Sequence, residues 1–346
     1  MPRKLKICAL PGDGIGPEVV ACAVRVLQAL PIRSEITTAA IGYGAYQEYG
    51  TPLPENTLAS IRSSDAALLG AVTTPPNKKG YFSPIVRMRQ NLDLFANLRP
   101  CVSIQNPVSK QGINFMLFRE NTEGLYSGIE RVEENGERAI TERVITRKAS
   151  ERIVRKAFEY AVATSRKSIH IVHKANVLRE TCGLFLRTAR EVAAEYRQIE
   201  AKELIVDACA MEIVRRPEQF EVIVTTNLFG DILSDEASMF VGGLGVAASG
   251  NIGKTSSVFE PVHGSAPDLV GKATANPIAT ILALAMLLEH VQEPEMAGFV
   301  RLAVDHCIMF GATTPDLGGQ CTTTETTDAI VKELETVISE AKEENI

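Results

Sequence analysis

Asp231 and Asp235, in Asn227-Leu228-Phe229-Gly230-Asp231-Ile232-Leu233-Ser234-Asp235, stand four residues apart directly after the apolar run FEVIVTT. If that segment opens a helix, the two carboxylates share one face, one turn apart. Anions held that close repel each other unless a cation lies between them, and a hard divalent ion such as Mg²⁺ or Mn²⁺ accepts oxygens from both. Asp207, which ends the expected strand ELIVD, is a third candidate ligand. Taken alone, the pair reads more readily as the acidic first turn that helix N-termini favour.

Three arginines stand in or beside apolar segments: Arg89 and Arg99 in VRMRQNLDLFANLRP, and Arg119 at the end of INFMLFRE. Arginine grips carboxylates with two parallel N–H donors, so this concentration in an acidic protein points to an anionic substrate; each one singly reads as an ordinary ion pair. Lys174, after SIHIVH, and Tyr126, in NTEGLYSG, can transfer protons if burial or a neighbouring charge moves their pKa toward neutrality. His170 and His173 would face opposite sides of one strand, which makes them poor co-ligands. His263 differs, because Glu260-Pro261-Val262-His263-Gly264-Ser265-Ala266-Pro267-Asp268 is too turn-rich to be a strand and has the composition of a ligand-approaching loop or a plain surface turn.

The elements that must position these groups follow from hydrophobic period. KLKICAL, SDAALLGAV, INFMLF, SIHIVH, KELIVDA and FEVIVTTN are short strand-like runs, and between them lie segments of helical period such as PEVVACAVRVLQAL and KANVLRETCGLFLRTAREVAAEY. The alternation predicts an α/β protein with a mainly parallel sheet. Pro11-Gly12-Asp13-Gly14-Ile15-Gly16-Pro17-Glu18 releases the first strand into a helix. It lacks the third glycine of GxGxxG and the acidic residue about 20 positions later, so it is a strand-to-helix turn and not a Rossmann fingerprint. Glu130 to Arg143 is charge-rich and predicts a solvated hairpin or arm.

A chain of 346 residues with 45% hydrophobic content has room for two domains with large cores. The net charge of -6 argues against broad binding to nucleic acid or anionic lipid and leaves small molecules as the expected partners. Ile278 to Leu288 is too short to cross a bilayer and reads as a buried helix. The N-terminal MPRKLKICALPG lacks the apolar core of a signal peptide, so a cytoplasmic location is expected. Seven cysteines with no CxxC pair argue against a disulfide framework or a thiolate zinc site.

Taken together, PGDGIGPE, LFANLRP, RENTEGLYSG, HKANVL, NLFGDILSD, EPVHGSAPD and TPDLGG, in this order along nearly the whole chain, resemble the β-decarboxylating dehydrogenases of isocitrate, 3-isopropylmalate, homoisocitrate and tartrate. The resemblance implies an isopropylmalate dehydrogenase-like two-domain α/β fold with a shared, mainly parallel sheet. One domain would comprise residues 1–95 plus 243–346 and hold the cofactor side and both termini; the other, 96–242, would carry the dimer contacts and an arm near 125–147. It also implies a homodimer, or a tetramer built from it, with active sites shared between subunits. Arg89, Arg99 and Arg119 would hold the carboxylates of a 2-hydroxy acid bearing a carboxylate on C3. Asp231 and Asp235, with Asp207 of the partner subunit, would bind Mg²⁺ or Mn²⁺.

Lys174 of the partner subunit matches the family's base, with Asp207 beside it to help carry the proton, and Tyr126 matches the acid that protonates the enol carbon. The surrounding cations are expected to lower the pKa of Lys174 and Tyr126. NAD⁺ would accept the hydride, with His263, Gly264, Ser265, Ala266, Asp268 and Asn276 around its adenosine, and Asp268 facing the 2′-hydroxyl. Ser83, in Tyr81-Phe82-Ser83-Pro84-Ile85-Val86-Arg87-Met88-Arg89, matches the serine that isocitrate enzymes set against a third carboxylate, although Ile85 replaces their asparagine. Ser83 and Pro84 are also a good N-cap and first-turn pair in their own right. On this segment homoisocitrate ranks first as substrate, 3-isopropylmalate second and isocitrate third. A regulatory subunit that keeps the fold without turning over is the alternative from a different class.

Overall fold

The computed structural model describes residues 3–75, 78 and 80–344. Its strands are β1 (Leu5–Gly12), β2 (Ser34–Thr38), β3 (Ala66–Ala71), β4 (Ala96–Val102), β5 (Asn114–Glu120), β6 (Glu130–Glu133), β7 (Arg138–Thr141), β8 (Ser168–His173), β9 (Glu200–Ile205), β10 (Val222–Thr225), β11 (Ala248–Ile252) and β12 (Ser257–Pro261). Its α-helices are α1 (Gly16–Ala29), α2 (Tyr43–Tyr49), α3 (Glu55–Ser63), α4 (Pro84–Asn91), α5 (Arg147–Ala163), α6 (Thr181–Ala193), α7 (Val206–Arg215), α8 (Asn227–Ser238), α9 (Ile278–His290), α10 (Pro294–Met309) and α11 (Thr323–Glu344).

Ten strands form one continuous sheet in the order β2-β1-β3-β12-β11-β4-β5-β10-β8-β9. Two parallel blocks, β2-β1-β3-β12 and β5-β10-β8-β9, flank β11 and β4, which run antiparallel to each other and to their outer neighbours. Strands β3, β8 and β10 are buried along their whole length, and β3 and β10 read as near-continuous apolar runs, as expected for a sheet covered on both faces. The seam between β11 and β4 is short, pairing Gly250 with Leu98, Asn251 with Asn97, and Ile252 with Ala96. Because Asn97 also pairs with Arg119 on β5, and Arg119 with Thr225 on β10, Asn251, Asn97 and Arg119 form one cross-strand row on one face of the sheet.

Helix α9 is apolar nearly all round, with Ile281, Leu284, Leu287 and Leu288 fully buried in the largest core. It is the buried helix expected from Ile278 to Leu288. No helix among the described residues is long and apolar enough to cross a membrane. Strands β6 and β7 pair as the expected charged hairpin. Six of the seven cysteines are buried and all seven are free.

Two expected boundaries move. Asp207 does not end a strand: β9 stops at Ile205, and Asp207 lies in the first turn of α7. There its carboxylate sits near unpaired N–H groups, a placement the helix dipole favours. The long helical pattern after SIHIVH begins only at Thr181, because Lys174 to Glu180 first make a turn in which Val177 N and Leu178 N donate to Lys174 O.

Candidate active site

The carboxyl ends of the parallel strands carry the candidate groups, as in other open α/β sheets. In one block, β5 carries Arg119 as its penultimate residue, β8 leads into Lys174, β9 into Asp207, and β10 into α8 with Asp231 and Asp235. In the other, the ends of β1, β3 and β12 meet: Asp13 N donates to Ala71 O at 2.7 Å, Ile15 N to Ser265 O at 3.0 Å, and Thr73 Oγ1 to Ser265 Oγ at 2.7 Å. Gly14 is required here, since its φ is +60° and a Cβ would lie 2.0 Å from Ser265 O. The Asp13 carboxylate accepts from Tyr43 N, Gly44 N and Thr73 N, which ties this glycine turn to the start of α2.

Arg119 is 1% exposed. Its Nε donates to the backbone and side-chain oxygens of Asn227, both at 3.0 Å, and its Nη1 to Asp231 Oδ1 at 2.5 Å. Burial, then the like charges of Arg89 and Arg99, pull its pKa below the ordinary arginine range, and Asp231 opposes that shift. From β4, Arg99 reaches the same helix: Nη1 donates to Ser234 Oγ at 2.7 Å and Asp235 Oδ1 at 2.6 Å, and Nη2 lies 3.1 Å from Asp231 Oδ1. Arg89, on α4, donates from Nη2 to Glu260 Oε1 at 3.0 Å, while its Nε is buried with no partner.

The two aspartates do share one face of α8. Their environments differ: Asp231 is held below the ordinary carboxylate range because the nearby arginines and the Tyr126 hydroxyl outweigh its burial, whereas burial raises Asp235 against the pull of Arg99, with the Asp231 charge adding to the rise. Tyr126 OH donates to Asp231 Oδ2 at 2.6 Å. The expected lowering by arginines and a bound cation together is not what the arginines alone produce. The Tyr126 pKa is raised, by burial first and then by its hydrogen bond to Asp231 and that carboxylate's charge; Arg119 and Arg89 only partly oppose this.

Lys174 and Asp207 pair with each other, and this contact holds the Asp207 carboxyl below its ordinary range. Among the described residues no hydrogen bond or ion pair joins them to the arginine–aspartate cluster, and no three His, Cys, Asp or Glu side chains gather as a metal site. One chain thus presents two separate parts.

Ser83 caps α4, its Oγ accepting from Val86 N at 3.4 Å. Of the loop after β12, Ser265 is buried, Ala266 has φ +38°, and Gly264 and Asp268 are exposed. The Nε2 of His263 is buried without a partner, and burial lowers the imidazole pKa, so the ring is neutral. Asn276 Nδ2 donates to Asp316 Oδ2 at 2.9 Å, so the TPDLGG segment braces Asn276. His170 and His173 are packing residues: His170 stands edge-on to Phe220 at 4.7 Å, and His173 Nδ1 accepts from Ala175 N.

Residue reading overlooked the groups behind the arginines: Glu260, Asn251, Asn97 and Asn121, all buried. The available signal was a lone amide inside an apolar strand, as in LFANLRP, which must find buried partners.

A two-block α/β sheet thus gathers three buried arginines, two adjacent carboxylates and a tyrosine hydroxyl at its centre. Residues 6–332 match the family described as isocitrate/isopropylmalate dehydrogenase. The chain is 50% identical over 333 residues to the isocitrate/homoisocitrate dehydrogenase of Thermus thermophilus, covering 96% of this chain and 99% of that one. It is 46% identical over 340 residues to the homoisocitrate dehydrogenase of Methanocaldococcus jannaschii, covering 94% and 97%. The crystal structure of isocitrate dehydrogenase from Methylococcus capsulatus superposes with a TM-score of 0.93 at 47% identity, covering 96% and 99%. The chain belongs to the isocitrate/isopropylmalate dehydrogenase family of β-decarboxylating dehydrogenases.

Proposed function

We propose that this chain oxidatively decarboxylates a 2-hydroxy acid bearing a C3 carboxylate, using NAD⁺ and Mg²⁺ or Mn²⁺, with homoisocitrate as the preferred substrate and 2-oxoadipate as product. The observation that carries this reading is the convergence of Arg89, Arg99 and Arg119 on the face that holds Asp231, Asp235 and the Tyr126 hydroxyl. The names of the Thermus isocitrate/homoisocitrate dehydrogenase and of the Methanocaldococcus homoisocitrate dehydrogenase support homoisocitrate as a candidate.

The donor set fits a divalent cation. Asp231 and Asp235 stand one turn apart on one face of α8, and their oxygen donors suit a hard ion. The loop after β12 fits an adenosine, because the neutral His263 ring has a buried nitrogen without a partner. When bound, the cation acidifies the 2-hydroxyl and the nicotinamide accepts hydride from C2.

The three arginines hold the substrate carboxylates. Lys174 of the partner subunit takes the hydroxyl proton, with Asp207 alongside to pass it on. Tyr126 returns a proton to C3 once the C3 carboxylate has left as CO₂, so protons balance over the reaction. Neutralising Asp231 frees the Tyr126 phenol from the carboxylate that raises its pKa. His263, Gly264, Ser265, Ala266 and Asn276 line the adenosine, and the exposed Asp268 selects a 2′-hydroxyl over a 2′-phosphate.

We take the β11–β4 seam as the boundary between a domain of residues 1–95 plus 243–346 and a domain of residues 96–242. The unit is a homodimer. The ground is exposed apolar surface beside the two separate parts of the site: Met211 (65%) and Val214 (53%) on α7, and Ile232 (57%) on α8. Seven free thiols suit a reducing compartment, hence the cytoplasm.

The test is kcat/KM for homoisocitrate, isocitrate and 3-isopropylmalate side by side, with NAD⁺ and NADP⁺, before and after EDTA. Homoisocitrate with NAD⁺ should lead, and activity should vanish with EDTA and return with Mg²⁺ or Mn²⁺. A preference of about tenfold or more for 3-isopropylmalate would make Ser83 a helix cap only, whereas homoisocitrate and isocitrate, one methylene apart, should overlap within about 10–200-fold. Full activity without metal, or a preference for NADP⁺, overturns the corresponding assignment.

A further inference from the structure

Asn251 is fully buried on β11, and its amide uses every hydrogen-bonding position it has. Its Nδ2 donates to Glu260 Oε1 at 2.8 Å and to Val258 O at 3.2 Å. Its Oδ1 accepts from Asn97 Nδ2 at 3.1 Å and Asn121 Nδ2 at 2.9 Å. Beyond these partners stand two arginines. Arg99 Nε donates to Asn97 Oδ1 at 2.8 Å, and Arg89 Nη2 donates to Glu260 Oε1 at 3.0 Å. The chain Arg99 to Asn97 to Asn251 to Glu260 therefore runs with all donors pointing one way, and Arg89 meets it from the other end. A carboxylate on β12 anchors two guanidiniums that belong to different elements, α4 and β4, on opposite sides of the β11–β4 seam.

We propose that Asn251 is a positioning residue that fixes Arg89 and Arg99 relative to each other, and so sets the carboxylate separation the site accepts. This inference rests on the reading that these arginines hold substrate carboxylates. The physical reason is connectivity. Only a neutral group that both donates and accepts can sit between Asn97 and Glu260. A leucine of similar volume would leave Asn97 Nδ2 and one Glu260 lone pair unpartnered in the core, and an aspartate would set a second carboxylate against Glu260. The guanidiniums would then lose the common anchor while keeping their charge. Binding of substrate and of transition state would suffer alike, which places the effect on KM and not on kcat.

The test uses the full chain with Mg²⁺, NAD⁺ and either homoisocitrate or isocitrate. KM and kcat are measured across pH for wild type, Asn251→Asp and Asn97→Ala, with calorimetric titration of the same acids. Both variants should raise KM about tenfold or more, the range of a lost hydrogen bond to a charged group, with kcat changed less than about threefold. For Asn251→Asp the KM defect should shrink as pH falls, because protonating the introduced carboxyl removes its charge and restores a donor toward Glu260. The charged groups on that face are Glu260, Arg89, Arg99, Arg119, Asp231 and Asp235. If Asn251→Asp does not fold, Asn97→Ala decides alone. A wild type that turns over while the variants keep KM within about twofold, or lose kcat only in proportion to folded protein, overturns the inference and leaves the functional reading standing. A wild type that neither binds nor oxidises these acids overturns both.

Discussion

Tyr126 and Asp231 form the contact on which the proposed proton return depends. The phenol donates to Asp231 at 2.6 Å and its pKa is raised, so the proton is held until that carboxylate is neutralised. Tyr126→Phe keeps the ring against the Arg119 guanidinium, 5.2 Å from its centroid, and removes only the hydroxyl. NADH formation should fall by about 10²–10⁴ in kcat with KM little changed; a fall of less than about threefold would assign the proton to another group. His170 tests a different consequence of burial. Its pKa is pushed down from 6.5 to about 4, chiefly by desolvation. The folded state favours the neutral ring, so stability from this group is fully present above 6.5 and is lost as pH falls from there toward about 4. His170→Phe should flatten the thermal midpoint across that window, and an unchanged acid slope would show that other groups carry it.

At the scale of elements, α8 and β5 approach so closely that Gly230 faces Arg119, and a Cβ there would lie 2.7 Å from both Arg119 Cβ and Cγ. In an exposed helix Gly→Ala gains about 0.5–1 kcal/mol. Here overpacking costs about 1–3 kcal/mol and must move either α8 or the arginine. Gly230→Ala should therefore lower the urea midpoint and raise KM, and a stabilised variant with unchanged KM would mean the contact relaxes freely. The same approach explains why sequence period alone located α8 so well. Leu233 packs inward and Ile232 stays exposed, while Asp231 and Asp235 turn toward the arginines of β4 and β5. The strand before α7 was harder to delimit, since Val206 and Asp207 continue its apolar run and only the backbone turn shows that a helix has begun.

For the whole molecule the decisive fact is that Lys174 and Asp207 pair with each other and with no member of the arginine–aspartate cluster. A shared site predicts complementation: mixed Lys174→Ala and Asp231→Ala chains, each inactive alone, form hybrids with one intact site. Random pairing should return about one quarter of wild-type activity. No recovery after demonstrated subunit exchange would place all the chemistry within one chain.

Motif residues and hydrophobic period sufficed for the family, the parallel blocks, the charged hairpin, the α9 core helix and the one-face placement of Asp231 and Asp235, because each depends on spacing within a short stretch of chain. The continuity of the sheet through its antiparallel centre depends on pairing between β4 near residue 97 and β11 near residue 251, and no local pattern encodes that distance. Asn97 reaches Asn251 only through that seam, whereas Asn251 and Glu260 meet across the β11–β12 hairpin; the Tyr126 hydroxyl, its pKa raised first by burial, meets a carboxylate that adds to the rise and is brought to it by a helix 105 residues away in sequence. Local sequence sets which chemistry is available; burial and long-range strand register decide which groups meet and in what protonation state they stand.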